Sequence, residues 1–365
     1  MPDGYGYGQM MLRDKGYSKS AAQLRVRDWY LTLGLGKDPR YRPLFFESTP
    51  MQRRHPGDRV FASRVLYPQV ASWLYDRFGM ESLIIVSIAA FGAATITLCI
   101  LLSMFGPPWM AAIGSIAIMS MPVIREIGSW PTTDMLALFF WLLAFTAAVG
   151  YAKDRHTATL VLFSVSCVLL ALTRPSFVLP LASAFGLFVG SLVSGRQADR
   201  RSGMLLFAAG ALGALAYFVA AALTHSENLT QHLAYVQELA VRLSPNPTLQ
   251  PVWAWYLQAT PRVYIIELSH FSPRHHLWYF TFALLVAIGL YVNRHHWTVP
   301  LMAGALCGAL SLLALNPDIW STARVFEVPS LPIAGAAIML LIQKLFFGGK
   351  AMLPEGRPPY TVAAG

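Results

Sequence analysis

Residues that could do chemistry in this sequence stand at the ends of long apolar segments. Arginine offers a fork of donors that fits phosphate oxygens, and a carboxylate can take a proton from an attacking hydroxyl. A pocket that joined the two could bind a phosphorylated ligand and transfer a group from it. The candidates are Asp3, Arg64, Tyr67, Asp134, Arg174 and Arg324.

Nine apolar segments set the positions of these residues. The 365-residue chain is 55% hydrophobic and only 13% charged, whereas a soluble domain is about one-quarter charged. The segments cover residues 82–105, 108–124, 135–151, 158–172, 177–193, 204–223, 277–292, 297–315 and 328–347. Several approach the roughly 20 residues that a 30 Å hydrocarbon core requires. The sequence therefore predicts an all-α, polytopic membrane protein with about 8–9 transmembrane helices.

Lysine and arginine are divided unequally between the two predicted sides of the membrane. Among the short loops, those on the side of the C-terminal tail hold nine Lys and Arg together with the tail itself, and those on the other side hold only Arg125, Arg174 and Arg324. The positive-inside rule then places the tail, residues 348–365, in the cytoplasm. It places a head, residues 1–81, and the loop 225–276 outside. The remaining predicted domain is the transmembrane bundle, residues 82–347, which contains that loop.

The head itself has the opposite charge bias. It contains 13 Lys and Arg against 8 Asp and Glu, which alone would place it in the cytoplasm. Either the segment 108–124, interrupted by Gly114 and Pro122, is re-entrant, or a further apolar helix precedes Met1 in the intact gene product. We favour the second explanation, because long segments follow the charge rule poorly.

Interfacial helices are predicted in both outward regions. Residues 59–78 show helix-like apolar spacing, with Pro68 expected to kink or divide the helix. Residues 232–243 also have a helical pattern. The pair Gly186 and Gly190 predicts close helix packing. His275-His276 and His295-His296 bracket one segment of about 20 residues, roughly 30 Å of helix, so the two pairs cannot share a metal ion.

The junction motifs resemble those of the GT-C superfamily of membrane glycosyltransferases, which use sugars carried on polyprenyl phosphates. DGYGY at 3–7 is similar to the acidic, aromatic-rich start of that family's first outward loop. RVLYP at 64–68 is similar to its Arg-x-x-Tyr-Pro. WPTTD at 130–134 and the tripeptide at 173–175 resemble junctions of bacterial members. The chain departs from the family in showing no first helix ahead of residue 3.

The resemblance implies a function and a role for each candidate. It implies transfer of a sugar from a polyprenyl-phosphate donor in the membrane lipid to an extracytoplasmic acceptor, in a bacterial plasma membrane. Asp3 would be the general base, and Arg174 and Arg324 would bind the donor phosphate. Arg64, Tyr67 and Asp134 would shape the substrate pocket. No cofactor is implied with certainty, although a divalent metal ion would fit the chemistry, and no nucleic acid partner is expected.

Each candidate also has a structural alternative. Asp134 could be the first-turn acid of the helix that follows it, and Arg174 and Arg324 could extend to lipid headgroups. Arg64 could pair with Asp76 or bind lipid headgroups.

Tyr67 could be an aromatic residue at the membrane interface.

For the whole chain, the alternatives are a transporter or lipid flippase, and a non-catalytic membrane protein. Convergence of Asp3, Asp134, Arg174 and Arg324 on one outward-facing pocket would favour the enzyme.

Overall fold

The computed structural model describes residues 2–34, 61–226, 229–242, 251–270, 277–315 and 323–347. In these ranges the regular structure is helical throughout, with no strand. The helices are α1 (Pro2–Asp14), α2 (Lys19–Thr32), α3 (Leu66–Phe78), α4 (Ser82–Ser103), α5 (Pro108–Met119), α6 (Pro122–Ser129), α7 (Asp134–Asp154), α8 (Thr157–Thr173), α9 (Val178–Ser194), α10 (Gln197–Leu223), α11 (Leu229–Arg242), α12 (Val252–His270), α13 (Leu277–Val292), α14 (Val299–Leu315) and α15 (Val328–Phe346). A 3-10 turn, Gly79–Glu81, precedes α4, and a π-helical turn, Ala323–Glu327, precedes α15.

Several helices are long and apolar enough to cross a membrane. Four single runs qualify among the described residues, and the number is five if the bent pair α5–α6 is one span. The four runs are Leu66–Ser103, Asp134–Asp154, Gln197–Leu223 and Arg324–Phe346. Shorter apolar helices occupy the remaining predicted segments. The predicted all-helical membrane fold is therefore confirmed, while the number of 8–9 spans stays a prediction.

The bent pair α5–α6 carries the chain from one end of the bundle to the other. Ser87 in α4 donates a hydrogen bond to the carbonyl of Thr132, just before α7, over 3.4 Å. At the other ends of these two helices, Met104 lies against Gly150. Because α4 and α7 thus run parallel, the residues between them must return across the bundle, and they do so with a 70° bend. Segment 108–124 is therefore the bent helix pair that carries the chain back towards the start of α7.

Helices α9 and α14 pack closely along glycine residues, as the Gly186–Gly190 pair predicted. A Cβ atom built on Gly186 would lie 2.8 Å from the Cα of Gly304, and one on Gly308 would lie 3.2 Å from the Cα of Leu179. Such distances leave no room for a side chain between the two backbones. Small residues of this kind allow dispersion contacts to hold helices together in lipid.

The head folds against the bundle through α1, α2 and α3. The side chains of Tyr7, Met11, Val26 and Tyr30 are completely buried in this contact. Glycine is a poor helix former, yet α1 contains three glycines because its neighbours come close. A Cβ on Gly4 would lie 2.6 Å from the carbonyl oxygen of Pro131, just before α7.

The predicted helix over 59–78 begins later than its apolar spacing indicates. Residues 61–65 are not helical, and α3 begins at Leu66. Pro68 consequently lies in the first turn, where its missing N–H breaks no helical hydrogen bond, so it neither kinks nor divides the helix. Asp76 of α3 pairs with Lys15. The alternative in which Asp76 is the partner of Arg64 is wrong.

At the end of the bundle opposite Asp134, basic side chains form hydrogen bonds that connect the helices. Arg196 donates to the carbonyl of His295 over 2.9 Å, and Lys344 donates to that of Val292 over 2.7 Å. These contacts hold α9, α13, α14 and α15 together at that end. In the predicted outward loop, the helix expected over 232–243 is present as α11.

Candidate functional site

Four of the predicted site residues line one cavity. Arg64, Asp134, Arg174 and Arg324 face it from different parts of the chain. The cavity volume is about 40 Å³, enough for a water molecule or two, since each takes roughly 30 Å³ in the liquid. A larger group can enter only if side chains at the rim move. The arginines at 174 and 324 are suited to this, because their side chains keep 15% and 13% of their surface exposed.

Asp134 is the centre of the site. Its carboxylate is 2% exposed and forms ion pairs with Arg174 through Oδ1 and with Arg324 through Oδ2. Arg324 also donates from Nε to Oδ2 over 3.0 Å, so its guanidinium approaches the same oxygen with two nitrogens. A buried carboxylate needs such partners, because an isolated charge is strongly disfavoured away from water.

Local sequence explains how each charged residue reaches the cavity. Asp134 is the first residue of α7, where the positive end of the helix dipole favours a carboxylate. Arg174 caps α8 in extended backbone with φ −157° and ψ 146°, a conformation that a following proline, Pro175, enforces. Arg324 lies in the wide turn ahead of α15. All three therefore lie at helix ends on the same side of the bundle.

Arg64 reaches the cavity from the head. Its side chain is buried, and Nη1 donates a hydrogen bond to the hydroxyl of Tyr7 over 2.8 Å. The guanidinium lies over the Phe61 ring, 4.7 Å from its centre, a distance at which cation–π attraction operates. The Tyr7 hydroxyl also lies 3.2 Å from Oγ1 of Thr133. The head is thus connected directly to the residue before Asp134.

The remaining walls of the cavity are mostly apolar. Trp141, Leu138 and Leu179 belong to them, together with Leu312 and Val328 at the ends of other helices. The indole of Trp141 donates to the carbonyl of Pro329 over 3.1 Å and so closes the contact between α7 and α15. The site consequently combines guanidinium groups with an apolar surface, which suits a ligand that has both a phosphate and a hydrocarbon part.

Tyr67 has a structural position. It is fully buried, and its hydroxyl donates to the carbonyl of Leu83 over 2.7 Å and lies 3.1 Å from the Ser87 hydroxyl. It is not among the described residues that line the cavity. It is also not exposed at an interface, so it joins α3 to α4 beneath the site.

The remaining charged residues that could have a role are not among the described residues that line the cavity. Asp3 lies in the first turn of α1, and its side chain is outside the described part of the structure. Asp318 also lies outside the described residues. Arg125 and Glu126 are exposed on α6.

The sequence predicted no role at the site for Tyr7 or Thr133. Both belonged to motifs, DGYGY and WPTTD, but nothing in either motif indicates that they contact each other across 126 positions. The alternation of glycine and tyrosine in 4–8 was the available signal. Glycine allows close approach and tyrosine brings a hydroxyl, and together they indicate a helix that packs closely against its neighbours.

Metal-ligating groups do not cluster in the described structure. No group of three or more His, Cys, Asp or Glu side chains there could hold a metal ion. His275 and His276 lie outside the described residues. Burial, with a smaller effect of nearby Arg196, lowers the pKa of His296 to about 4. Its Nδ1 lies 2.6 Å from the Thr298 hydroxyl, and the Thr298 amide donates to the same nitrogen over 3.4 Å.

Comparison of the chain with protein-family models, curated proteins and solved structures finds no match in any of the three. The function therefore has to be inferred from the site itself.

Proposed function

We propose that this protein is an integral membrane glycosyltransferase that transfers a sugar from a polyprenyl-phosphate donor to an acceptor outside the cytoplasm. The observation that carries the proposal is the convergence of Arg64, Arg174 and Arg324 with Asp134 on one apolar-walled cavity. In this proposal the bent pair and the shorter apolar helices all cross the membrane, giving 8–9 spans of GT-C-like arrangement with a cytoplasmic C-terminus.

The charges of the cavity support a phosphate as the bound group. Its described lining residues include three guanidinium groups and one carboxylate. When a sugar leaves its lipid phosphate, a phosphodiester with one negative charge becomes a phosphate with up to two. Guanidinium groups in contact with the phosphate stabilise that increase more strongly than they stabilise the donor, which is how such groups accelerate a reaction.

The apolar walls support a lipid as the carrier of that phosphate. Leu138, Leu179 and Val328 lie beside the arginines, so a prenyl chain would remain in apolar surroundings while its phosphate reached the cations. The arginines lie at helix ends, where a phosphate at the membrane surface would enter. Cavity expansion by movement of Arg174 and Arg324 would accompany binding.

Asp134 and Asp3 have different roles in the proposed reaction. Asp134 faces two guanidinium groups and orders them. The proton of the acceptor hydroxyl would go to Asp3, as it attacks the anomeric carbon and the bond from that carbon to the phosphate oxygen breaks. Asp3 precedes Gly4, which abuts Pro131 at the entrance to α7, so its backbone is close to the junction that leads to the site.

The test uses the purified full chain in lipid nanodiscs. Polyprenyl phosphate binding and consumption of polyprenyl-phosphate sugars, in the presence of a cell-envelope extract as acceptor, are measured for the wild type and for Arg324→Ala. We expect affinity for polyprenyl phosphate to fall at least tenfold and sugar transfer to be lost. Arg125→Ala, which removes an exposed arginine outside the cavity, is the matched control and should leave both unchanged. A wild type that neither binds polyprenyl phosphate nor consumes any such donor would refute the proposal.

A lipid transporter is the second candidate. The 70° break between α5 and α6 favours it, because broken helices are common where transporters bind their substrates. Lipid movement between leaflets with the glycosidic bond intact, measured with a fluorescent polyprenyl-phosphate sugar in vesicles, would support the transporter over the enzyme.

A further inference from the structure

We infer that Tyr7 is a positioning residue that holds Arg64 at the anion cavity, so that helix α1 is part of the site and not a separate head. The part of the inference that concerns phosphate binding rests on the proposed function. Its structural basis is the contact of one tyrosine hydroxyl with Arg64 on one side and Thr133 on the other.

The direction of the hydrogen bond between Arg64 and Tyr7 follows from the groups involved. Arginine has donors only, so Arg64 Nη1 donates and the Tyr7 oxygen accepts over 2.8 Å. The hydroxyl hydrogen of Tyr7 must then point elsewhere, and Oγ1 of Thr133 lies 3.2 Å away. All three side chains are buried, where an unmet donor is costly. Tyr7 therefore relays a hydrogen-bond chain from Arg64 to the residue beside Asp134.

Packing keeps the Tyr7 ring in a single place. Its centre lies 5.4 Å from that of Phe61 and 5.4 Å from that of Tyr67, at angles of 60° and 69°. Phe61 in turn lies under the Arg64 guanidinium. The ring and the guanidinium thus share one aromatic neighbour, and a shift of Tyr7 would shift the support of Arg64 as well.

The glycines of α1 explain why this helix can approach so closely. A Cβ on Gly6 would lie 3.0 Å from the Phe61 ring, and one on Gly8 would lie 3.0 Å from Val26. With Gly4 against Pro131, three sides of the helix are in contact with neighbours. The alternation of glycine and tyrosine is thereby explained: the glycines admit the helix, and the tyrosine at position 7 supplies the hydroxyl.

Tyr7→Phe tests the inference because it removes only the hydroxyl. Tyr5→Phe is the matched control: Tyr5 is on the same helix, and its hydroxyl donates to the Gln23 carbonyl over 3.3 Å. In the full chain in nanodiscs we expect polyprenyl phosphate to bind about tenfold more weakly to Tyr7→Phe and equally well, within twofold, to Tyr5→Phe. In an Arg64→Gln background, Tyr7→Phe should add less than twofold, because two residues that act through one contact are not additive.

A second measurement does not depend on phosphate. Phenylglyoxal modifies arginine, and mass spectrometry reports its extent at position 64. We expect Arg64 to react several times faster in Tyr7→Phe than in the wild type or in Tyr5→Phe. If Tyr7→Phe does not fold, Thr133→Val breaks the same chain at its other end and should give the same increase.

The outcomes separate the inference from the proposed function. Unchanged Arg64 reactivity together with unchanged phosphate affinity in Tyr7→Phe would overturn the inference, even if the wild type transfers sugar. A lower melting temperature with neither change would mean that Tyr7 stabilises the head only, and would overturn it too. If the wild type binds no polyprenyl phosphate while Arg64 reactivity still rises in Tyr7→Phe, the positioning of Arg64 stands and the glycosyltransferase proposal fails.

Discussion

Replacing Asp134 by asparagine removes the carboxylate that faces Arg174 and Arg324 while keeping the shape of the side chain. A single ion pair at about 4 Å gives about 4 kcal/mol of attraction at an effective dielectric constant near 20. Much of this is offset by the cost of removing charges from water. Loss of one partner from a buried pair lowers stability by about 3 to 5 kcal/mol. Because both arginines keep some exposure, 15% and 13%, we expect the lower end, about 3 kcal/mol.

Thermal unfolding in detergent measures this loss. For proteins of 150–250 residues, 1 kcal/mol shifts the melting temperature by roughly 2–4 °C, and the shift is smaller for a longer chain, so we expect a decrease of about 5 °C. The double variant Asp134→Asn with Arg174→Gln should recover part of it, because one of two unneutralised like charges is removed.

Asp199→Asn is the control for this substitution. Asp199 is also buried, but it lies 3.9 Å from Arg196 at the opposite end of the bundle, and a single long pair contributes less. We expect a decrease of under about 1 kcal/mol and no effect on polyprenyl phosphate binding. If the melting temperature of Asp134→Asn stays within 1 °C of the wild type, the three-residue ion cluster does not stabilise the fold and the reasoning is refuted.

Three further predictions concern other contacts. Gly186→Ala should lower the melting temperature by several degrees, since its Cβ would meet the backbone of α14 at 2.8 Å and overpacking costs about 1 to 3 kcal/mol. Gly92→Ala, in open space on α4, should not. Stability should fall as the pH drops from about 6.5 towards 4, by up to roughly 3 kcal/mol, because the unfolded chain protonates His296 before the folded one does. His296→Asn, which keeps an acceptor for Thr298, should remove that part of the pH dependence of the melting temperature. Arg324→Lys keeps the charge but loses the fork, so polyprenyl phosphate affinity should fall about tenfold; wild-type affinity would contradict a forked contact.

The helices of the bundle could be predicted from the sequence with small errors. The segment 135–151 corresponds to Asp134–Asp154, and 158–172 corresponds to Thr157–Thr173. Charged residues, prolines and glycines mark these ends clearly, because a long apolar run can end only where the backbone or a charge requires it. The break between α5 and α6 was also visible in advance, as Pro122 follows a run that contains Gly114.

The geometry of the site was predictable only in part. The charges at the ends of the spans could be assigned to one side, which is why Asp134, Arg174 and Arg324 were grouped. Their pairing could not be predicted, because it depends on which helices are neighbours, and helix neighbours leave no local pattern. The contact of Arg64 with Tyr7 was missed for the same reason, and because a glycine-rich segment has low helix propensity unless close packing compensates for it.

The distance along the chain between Asp134 and Arg324 has a consequence for biosynthesis. The two residues are separated by 190 positions, so at 5–20 residues per second Arg324 leaves the ribosome roughly 10 to 40 s after Asp134. During that time the carboxylate can meet Arg174 but not its second partner. The ion cluster is completed only when the segment that leads into α15 has been inserted, and its formation therefore coincides with the end of helix assembly.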